Sequence, residues 1–344
     1  MSIRVGLMGF GRIGRNVFRA IYGRDDIEIV AINELADIES MVYLLRFDSL
    51  RGPFEEPIRI LDDAIYAKGR QIPVMHHREP GQIPWYEYGV DVVVEATGKY
   101  RARNDLEKHL EQGANRVILT TPPTDDVDHL HIRGVTPDEV DRSNRIISCG
   151  SSTANATALL VKVIDDTFGV EEGSFTSVHA YTADQSLTDV PTSGDLRRSR
   201  AAMQNIVPQT TWTDEAIEEL FPHLRGRFKG LKLNVPVPGV SCSDLTVQTK
   251  RTVTAGEVNE VFRSAADSIH DGILSFTDQP IVSSDIAGSS ASCVFDSLAT
   301  LVTDDILLKV IGWYEQGGGI SHRIVELATR LGPKASSGGE RKNR

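Results

Sequence analysis

An α/β protein of two domains is what this sequence predicts: an N-terminal doubly wound domain, then an α+β domain carrying a mostly antiparallel sheet. Three observations carry that prediction. Residues 3–22 pass from a short apolar run through a glycine-rich turn into a helical period. Strand-like and helical runs then alternate up to about residue 150. Beyond residue 151 the alternation gives way to long strands with few helices. A chain of 344 residues is also long for one core and suits two domains sharing a cleft.

Each element follows from its own pattern. Residues 3–8 (IRVGLM) read as a strand, and 15–22 (RNVFRAIY) as a helix stopped by Gly23. Residues 27–32 (IEIVAI) form the next strand, so strand, glycine turn, helix and strand make a βαβ unit with a parallel pairing. Further strands are expected at 57–61, 72–76, 91–95, 116–120 and 145–148, with a helix at about 103–113. A long helix at about 152–167 opens the second half. Strands at 174–182, 228–236, 241–250, 291–295 and 299–314 follow, with a helix at about 255–268. A last helix, within 316–332, completes the first domain, which spans 1–151; the second spans 152–315. The tail from 333 to 344 (PKASSGGERKNR) is expected to be disordered.

Composition narrows the function classes. Apolar residues make up 40% and charged residues 25%, as in ordinary globular proteins. No apolar run approaches the roughly 18 residues of a membrane span, and the N-terminus has no separate basic and apolar leader regions. The net charge of −11 argues against a general nucleic-acid binder. Three cysteines, Cys149, Cys242 and Cys293, show no metal or CxxC spacing and fit a reducing, cytoplasmic setting.

The motif Gly9-Phe10-Gly11-Arg12-Ile13-Gly14 is weak alone but lies between a strand and a helix at the start of a βαβ unit. In a Rossmann-type turn, Gly9 serves the tight bend, Gly11 the close approach of a diphosphate, and Gly14 the packing of helix on strand. Asn33-Glu34 ends the second strand about 20 residues on; Glu34 is placed to accept from a ribose hydroxyl, which favours NAD over NADP. Thr97 and Gly98 follow strand 91–95, and Thr120 ends strand 116–120; both threonines read as cofactor neighbours or as plain turn residues.

A nucleophile is expected where residues 145–160 (RIISCGSSTANATALL) pass from strand to helix, and Cys149 and Ser152 compete for that place. The motifs GFGRIGR, AINELAD, EATG, HAYTADQ, DLRRSRAAMQNIVP and NVPVPGVSCSDLTVQ occur in that order. The chain from residue 3 to about 332 therefore resembles the phosphorylating glyceraldehyde-3-phosphate dehydrogenases, and shares the pattern of the sister erythrose-4-phosphate dehydrogenases. The resemblance implies a tetramer that oxidises an aldehyde with NAD through a thioester. The family nucleophile lies in S-x-A-S-C-T-T-N-C, with a base from H-x-Y-T-N-D-Q.

Aligned on that motif, Asn155 and Thr153 match while Ser152 stands on the cysteine position and Cys149 falls three residues early. His179 stands on the base. A serine alkoxide is much harder to form than a thiolate, and an oxyester transfers its acyl group less readily. Cys149 reads as a buried structural thiol. The family's phosphate-binding arginine becomes Asn234, a loss of roughly 1.5–3 kcal/mol for a charged contact. Trp212 replaces a glycine where inorganic phosphate sits, and Gln316 replaces the asparagine that holds the nicotinamide amide. Thr153, Thr182, Arg198 and Thr211 are left as an anion-binding remnant.

These departures gather at the substrate side while the cofactor motif is whole. The expected function is an NAD-dependent oxidoreductase of plain or phosphorylated aldehydes, with altered or weak activity. A non-catalytic NAD-binding paralogue, acting by oligomerisation or by joining a true family dehydrogenase, is the alternative. A Ser152/His179 ester hydrolase is a third, which lacks a recognisable third triad member.

Overall fold

The computed structural model describes residues 2–192, 194–268 and 272–332. The expected tail therefore lies outside the described residues. The first half runs β1 (Ile3–Met8), α1 (Arg12–Tyr22), β2 (Ile27–Asn33), α2 (Ile38–Arg46) and a small hairpin of β3 (Phe47–Asp48) and β4 (Gly52–Pro53). It continues through β5 (Ile58–Leu61), β6 (Ala64–Ala67), β7 (Arg70–Met75), β8 (Val92–Glu95), α3 (Arg103–Glu111), β9 (Arg116–Leu119), β10 (His129–Leu130) and β11 (Ile146–Ser148).

Nine of these strands form one sheet in the order β10-β11-β9-β8-β1-β2-β7-β6-β5. β1 is central, parallel to β2 through Val5–Ile29 and to β8 through Val5–Val92. Helices cover both faces, so strands such as Val92–Glu95 are buried throughout and read as apolar runs. One face packs α1 and α2 against Val5, Leu7 and Ile32; the other packs Leu106 and Trp85 against Val93 and Val117.

The second half opens with α4 (Ser152–Phe168), then β12 (Val170–Ala180), β13 (Val207–Gln209), α5 (Thr213–Leu220), β14 (Phe228–Val235) and β15 (Val240–Thr249). It ends with α6 (Ala255–Ser268), β16 (Leu274–Thr277), β17 (Cys293–Thr303), β18 (Leu307–Glu315) and α7 (Gly318–Leu331). Its sheet runs β13-β14-β12-β15-β18-β17-β16. Four pairings are antiparallel and two, β12–β14 and β16–β17, are parallel. α4 is apolar nearly all round because it is enclosed by this sheet and by α5 and α6. α7 returns to the first sheet, where Ile320, Ile324 and Leu327 join the core of Val5 and Val17.

Two readings of the pattern need correction. The stretch 299–314 is not one strand: Asp304 and Asp305, at φ 50° and 58°, turn the chain between β17 and β18. Two aspartates in the left-handed region do the work that glycine usually signals. The helices α2 and α5 were also not expected; α2 is short and starts at Asp37, whose carboxylate accepts from Ser40 N at 2.8 Å.

Candidate functional site

The carboxyl ends of β1, β2, β8 and β9 converge beside the glycine turn, the usual crevice of a doubly wound sheet. Gly9 takes φ +93°, and a Cβ there would meet Thr97 N at 2.8 Å. A Cβ on Gly14 would meet Gly9 O at 2.2 Å, so helix and turn touch directly. A Cβ on Gly11 would meet nothing within 4 Å. Gly11 caps α1 without a side chain, leaving the first-turn amides of Arg12 and Ile13 facing open space. That cradle fits a diphosphate held by amide donors and a helix dipole.

Glu34 braces the turn: its carboxylate accepts from Phe10 N at 2.6 Å and from Leu35 N at 2.7 Å. Asn33 is different. It donates to His77 O at 2.9 Å and accepts from His77 N at 2.9 Å, so its amide joins β2 to the end of β7. Thr97 donates to Glu95, and the Thr120 hydroxyl donates to Glu95 O at 3.0 Å. These two threonines line the crevice but act on the chain itself. Gly98, at φ +69°, faces open space.

The strand-to-helix turn is built by its own small residues. Ser148 Oγ accepts from Gly150 N at 3.0 Å, and Gly150 takes φ +67°. Ser151 caps α4 by accepting from Ala154 N at 3.1 Å, and Asn155 donates to Cys149 O and Ser151 O, both at 2.9 Å. Ser152 thereby becomes the first residue of a 17-residue helix, partly exposed in its positive end. Cys149 is buried, and burial pushes its thiol up to about 12. Cys242 and Cys293 are buried as well, with their thiols pushed up in the same way.

His179 lies near the end of β12, and burial holds it down at about 4, with Lys232 adding to the effect. Its Nδ1 is 2.8 Å from Ala180 O and 2.8 Å from the Gln316 amide nitrogen. Among the described residues Nε2 has only the longer, 3.4 Å approach of the same Gln316 nitrogen. Among the described residues, Ser152 and His179 make no hydrogen bond with each other. Tyr314 joins their elements instead, with Thr153 Oγ1 at 2.8 Å and Ser177 Oγ at 2.7 Å.

Two of the expected site residues are engaged by the protein itself. The Gln316 amide bridges the glycine turn and β12. It donates to Ala180 O at 2.7 Å and accepts from Arg12 at 3.3 Å, because its extra methylene carries the amide on to β12. Thr153 is buried, with its hydroxyl 2.8 Å from that of Tyr314. Arg12 and Gln316 together connect the dinucleotide turn to His179.

The anion remnant is divided. Arg198 pairs with Asp184 at 2.7 Å, and Thr182 also donates to Asp184. Thr211 accepts from Thr213 N at 3.2 Å at the start of α5. Asn234 is buried with both amide atoms unpartnered. Trp212 lies over Gly150, 3.6 Å from where a Cβ would stand. Tyr314, Lys232 and Ser241, whose hydroxyl accepts from Ala180 N at 3.0 Å, were not foreseen. Alternation along LKLNV would have placed Lys232 on the face of Asn234; nothing local marks the other two. Among the described residues no cluster of His, Cys, Asp or Glu is arranged to hold a metal, and no helix is long and apolar enough to cross a membrane.

Comparison with known proteins agrees with this geometry. Residues 3–103 match the family model of the glyceraldehyde 3-phosphate dehydrogenase NAD binding domain, and residues 148–316 that of its C-terminal domain. A glyceraldehyde-3-phosphate dehydrogenase of Streptomyces coelicolor is 44% identical over 335 residues, covering 96% of this chain and 99% of that one. One from Geobacillus stearothermophilus is 41% identical over 335 residues, covering 97% and 99%. Glyceraldehyde-3-phosphate dehydrogenase 2 of Bacillus subtilis is 43% identical over 328 residues, covering 95% and 96%. The cofactor of the crevice is NAD, and the chain belongs to the glyceraldehyde-3-phosphate dehydrogenase family.

Proposed function

We propose that this chain is an NAD-dependent aldehyde oxidoreductase that works without an acyl-thioester step, and so with altered or weak activity. The observation that carries the reading is a neutral, buried His179 together with a hydroxyl, not a thiol, at the head of α4. All three thiols of the chain are buried and held protonated. Its relatives' name supplies the substrate class, a small aldehyde, phosphorylated or plain.

The open cradle at Gly11 and the first-turn amides of α1 would hold the diphosphate of NAD, and Glu34, at the end of β2, would accept from its ribose. When bound, NAD supplies the hydride acceptor. Water adds to the aldehyde to give its hydrate. His179 Nε2 takes a proton from one hydrate hydroxyl as the carbon gives up its hydride, and a free acid results. The neutral ring suits that role, since a group held near 4 is unprotonated at pH 7. Ser152 donates to the second oxygen from the positive end of α4. A cytoplasmic tetramer is the assembly that the family likeness supports.

The test is NADH absorbance with NAD, plain and phosphorylated aldehydes, and phosphate or arsenate. Slow turnover that arsenate does not accelerate, and that His179→Ala abolishes, is expected. Arsenate-stimulated turnover would overturn the reading, because it needs an acyl-enzyme. A second reading has one observation in its favour: Gln316 occupies the Nδ1 side of His179 and ties it to Arg12. Saturable NAD binding with no turnover would make the chain a non-catalytic paralogue, acting through its own oligomer or by joining a true dehydrogenase.

A further inference from the structure

The carboxyl end of β8 is held from behind by a buried chain of side chains that the oxidoreductase chemistry does not use. Glu95, the last residue of β8, His109 on α3 and Trp85 are all 0% exposed. Trp85 Nε1 donates to His109 Nδ1 at 3.0 Å. An indole N–H can only donate, so Nδ1 is the bare nitrogen and the ring proton is on Nε2. That nitrogen donates to Glu95 Oε2, 3.2 Å away. The other oxygen, Oε1, accepts from Thr97 N at 2.8 Å and from the Thr97 hydroxyl. Thr97 Oγ1 in turn accepts from Lys99 N at 3.0 Å.

A buried carboxylate is normally matched by a lysine or arginine. Among the described residues the only ion-pair partner of Glu95 is His109. Apolar residues at 85, 95 and 109 would close the same space without burying any polar group. They could not hold the turn that follows β8. Residues 97–99 direct two backbone N–H groups and one hydroxyl into this chain, which fixes Gly98 at φ +69°. A Cβ on Gly9 would stand 2.8 Å from Thr97 N, so this turn backs directly on the glycine turn. The crevice wall after β8 and the diphosphate cradle after β1 therefore share one support.

We propose that His109 is a positioning residue for the cofactor: oriented by Trp85, it locks Glu95, and Glu95 holds the Thr97-Gly98 turn against Gly9 in the shape that receives NAD. His109 is enclosed by the protein and acts through Glu95. Its effect is preorganisation, since a turn already in place when NAD arrives need not be ordered on binding. The inference rests on NAD as the cofactor, and not on the role given to His179.

Calorimetric titration with NAD tests it, on the full chain well below its melting temperature, beside hydrogen exchange of the backbone over 92–100. His109→Leu should weaken NAD tenfold or more, and speed exchange across 97–99 while 92–95 keep wild-type protection. His109→Gln, whose carboxamide can accept from Trp85 and donate to Glu95, should stay within about threefold of wild type. Packing alone would not produce that rescue, because Leu fills the space as Gln does. A folded His109→Leu that binds NAD as tightly as wild type overturns the proposal, and so does an equal loss in the two variants. Should His109→Leu lose its circular dichroism, Thr97→Val reads the chain from its other end by removing the hydroxyl alone. Severalfold weaker NAD is expected there, and wild-type affinity overturns the proposal. A wild-type chain that binds no NAD would overturn this proposal and the cofactor reading together, whereas NAD binding that ignores His109 overturns this proposal alone.

Discussion

The Tyr314 hydroxyl lies 2.8 Å from that of Thr153, and so ties the first turn of α4 to β18, which ends at Glu315. The same hydroxyl reaches Ser177 at 2.7 Å, two residues before His179. Burial pushes Tyr314 up to about 12, against the opposing pull of these hydrogen bonds, so it stays protonated and donates to one partner while accepting from the other. Tyr314→Phe leaves two buried hydroxyls short of a partner. Loss of about 1–3 kcal/mol in urea unfolding is expected. A melting temperature equal to that of wild type would show that the three hydroxyls do not act as one clamp.

The glycines of the dinucleotide turn divide into two kinds. At Gly14 an added methyl collides with Gly9 O, a backbone atom that cannot move aside. Gly14→Ala should therefore destabilise the fold by about 1–3 kcal/mol, as overpacking does, and lose NAD with it. At Gly11 the methyl enters open space. Gly11→Ala should keep the melting temperature while weakening NAD at least tenfold, because the methyl occupies the approach of the diphosphate. Equal NAD affinity in Gly11→Ala and wild type would place the cofactor elsewhere.

Acid should unfold this chain in a window set mainly by two histidines, with His129 and His322 also held down by burial. His131 and His179 are both held at about 4, against an ordinary value of 6.5, mainly by burial. Between those values the unfolded chain takes up protons that the folded chain refuses, so stability falls as pH falls from about 6.5 towards 4. Two such groups bring a slope approaching 2.7 kcal/mol per pH unit, at about 1.4 each. Asp48 and Asp128, held down by backbone amides and by nearby arginines, extend the loss to lower pH. Glu315 and Glu219, pushed up by burial, act the other way. Urea midpoints at pH 7, 6 and 5 measure the slope; His131→Gln should remove about half of it. A flat profile would mean that these rings gain protons in the folded state.

Much of this was legible because backbone needs leave direct marks. GFGRIGR shows where a chain must bend and where a helix must touch a turn, whatever surrounds it. The buried runs of β1, β8 and β9 announce a sheet covered on both faces. Gln316 was not legible in the same way. Its position matched a cofactor contact, but one methylene changed what its amide reaches, and that is decided by where β12 lies. The Thr153–Tyr314 contact was not legible either, since the two lie 161 residues apart along the chain. Lys232 left a mark that only pairing with β12 and β13 makes meaningful.

The last prediction concerns Ser152. It sits in the first turn of α4, partly exposed, with no acidic side chain in that turn. A thiol there meets the positive end of a long helix, an environment that lowers a cysteine pKa. The native thiols stand in the opposite situation, buried and held protonated. Wild-type protein should therefore react slowly with iodoacetamide until it unfolds, whereas Ser152→Cys should show one fast equivalent near pH 7. His179 acts next, because acyl transfer needs a base within reach. If the hydroxyl alone holds back the thioester route, Ser152→Cys should also release a burst of NADH with an aldehyde and gain arsenate-stimulated turnover. A fast thiol without a burst would locate the block in the substrate pocket, where Trp212 covers Gly150 and Asn234 carries no charge. A Ser152→Cys thiol as slow as the native ones would mean that the head of α4 is not an open nucleophile position at all.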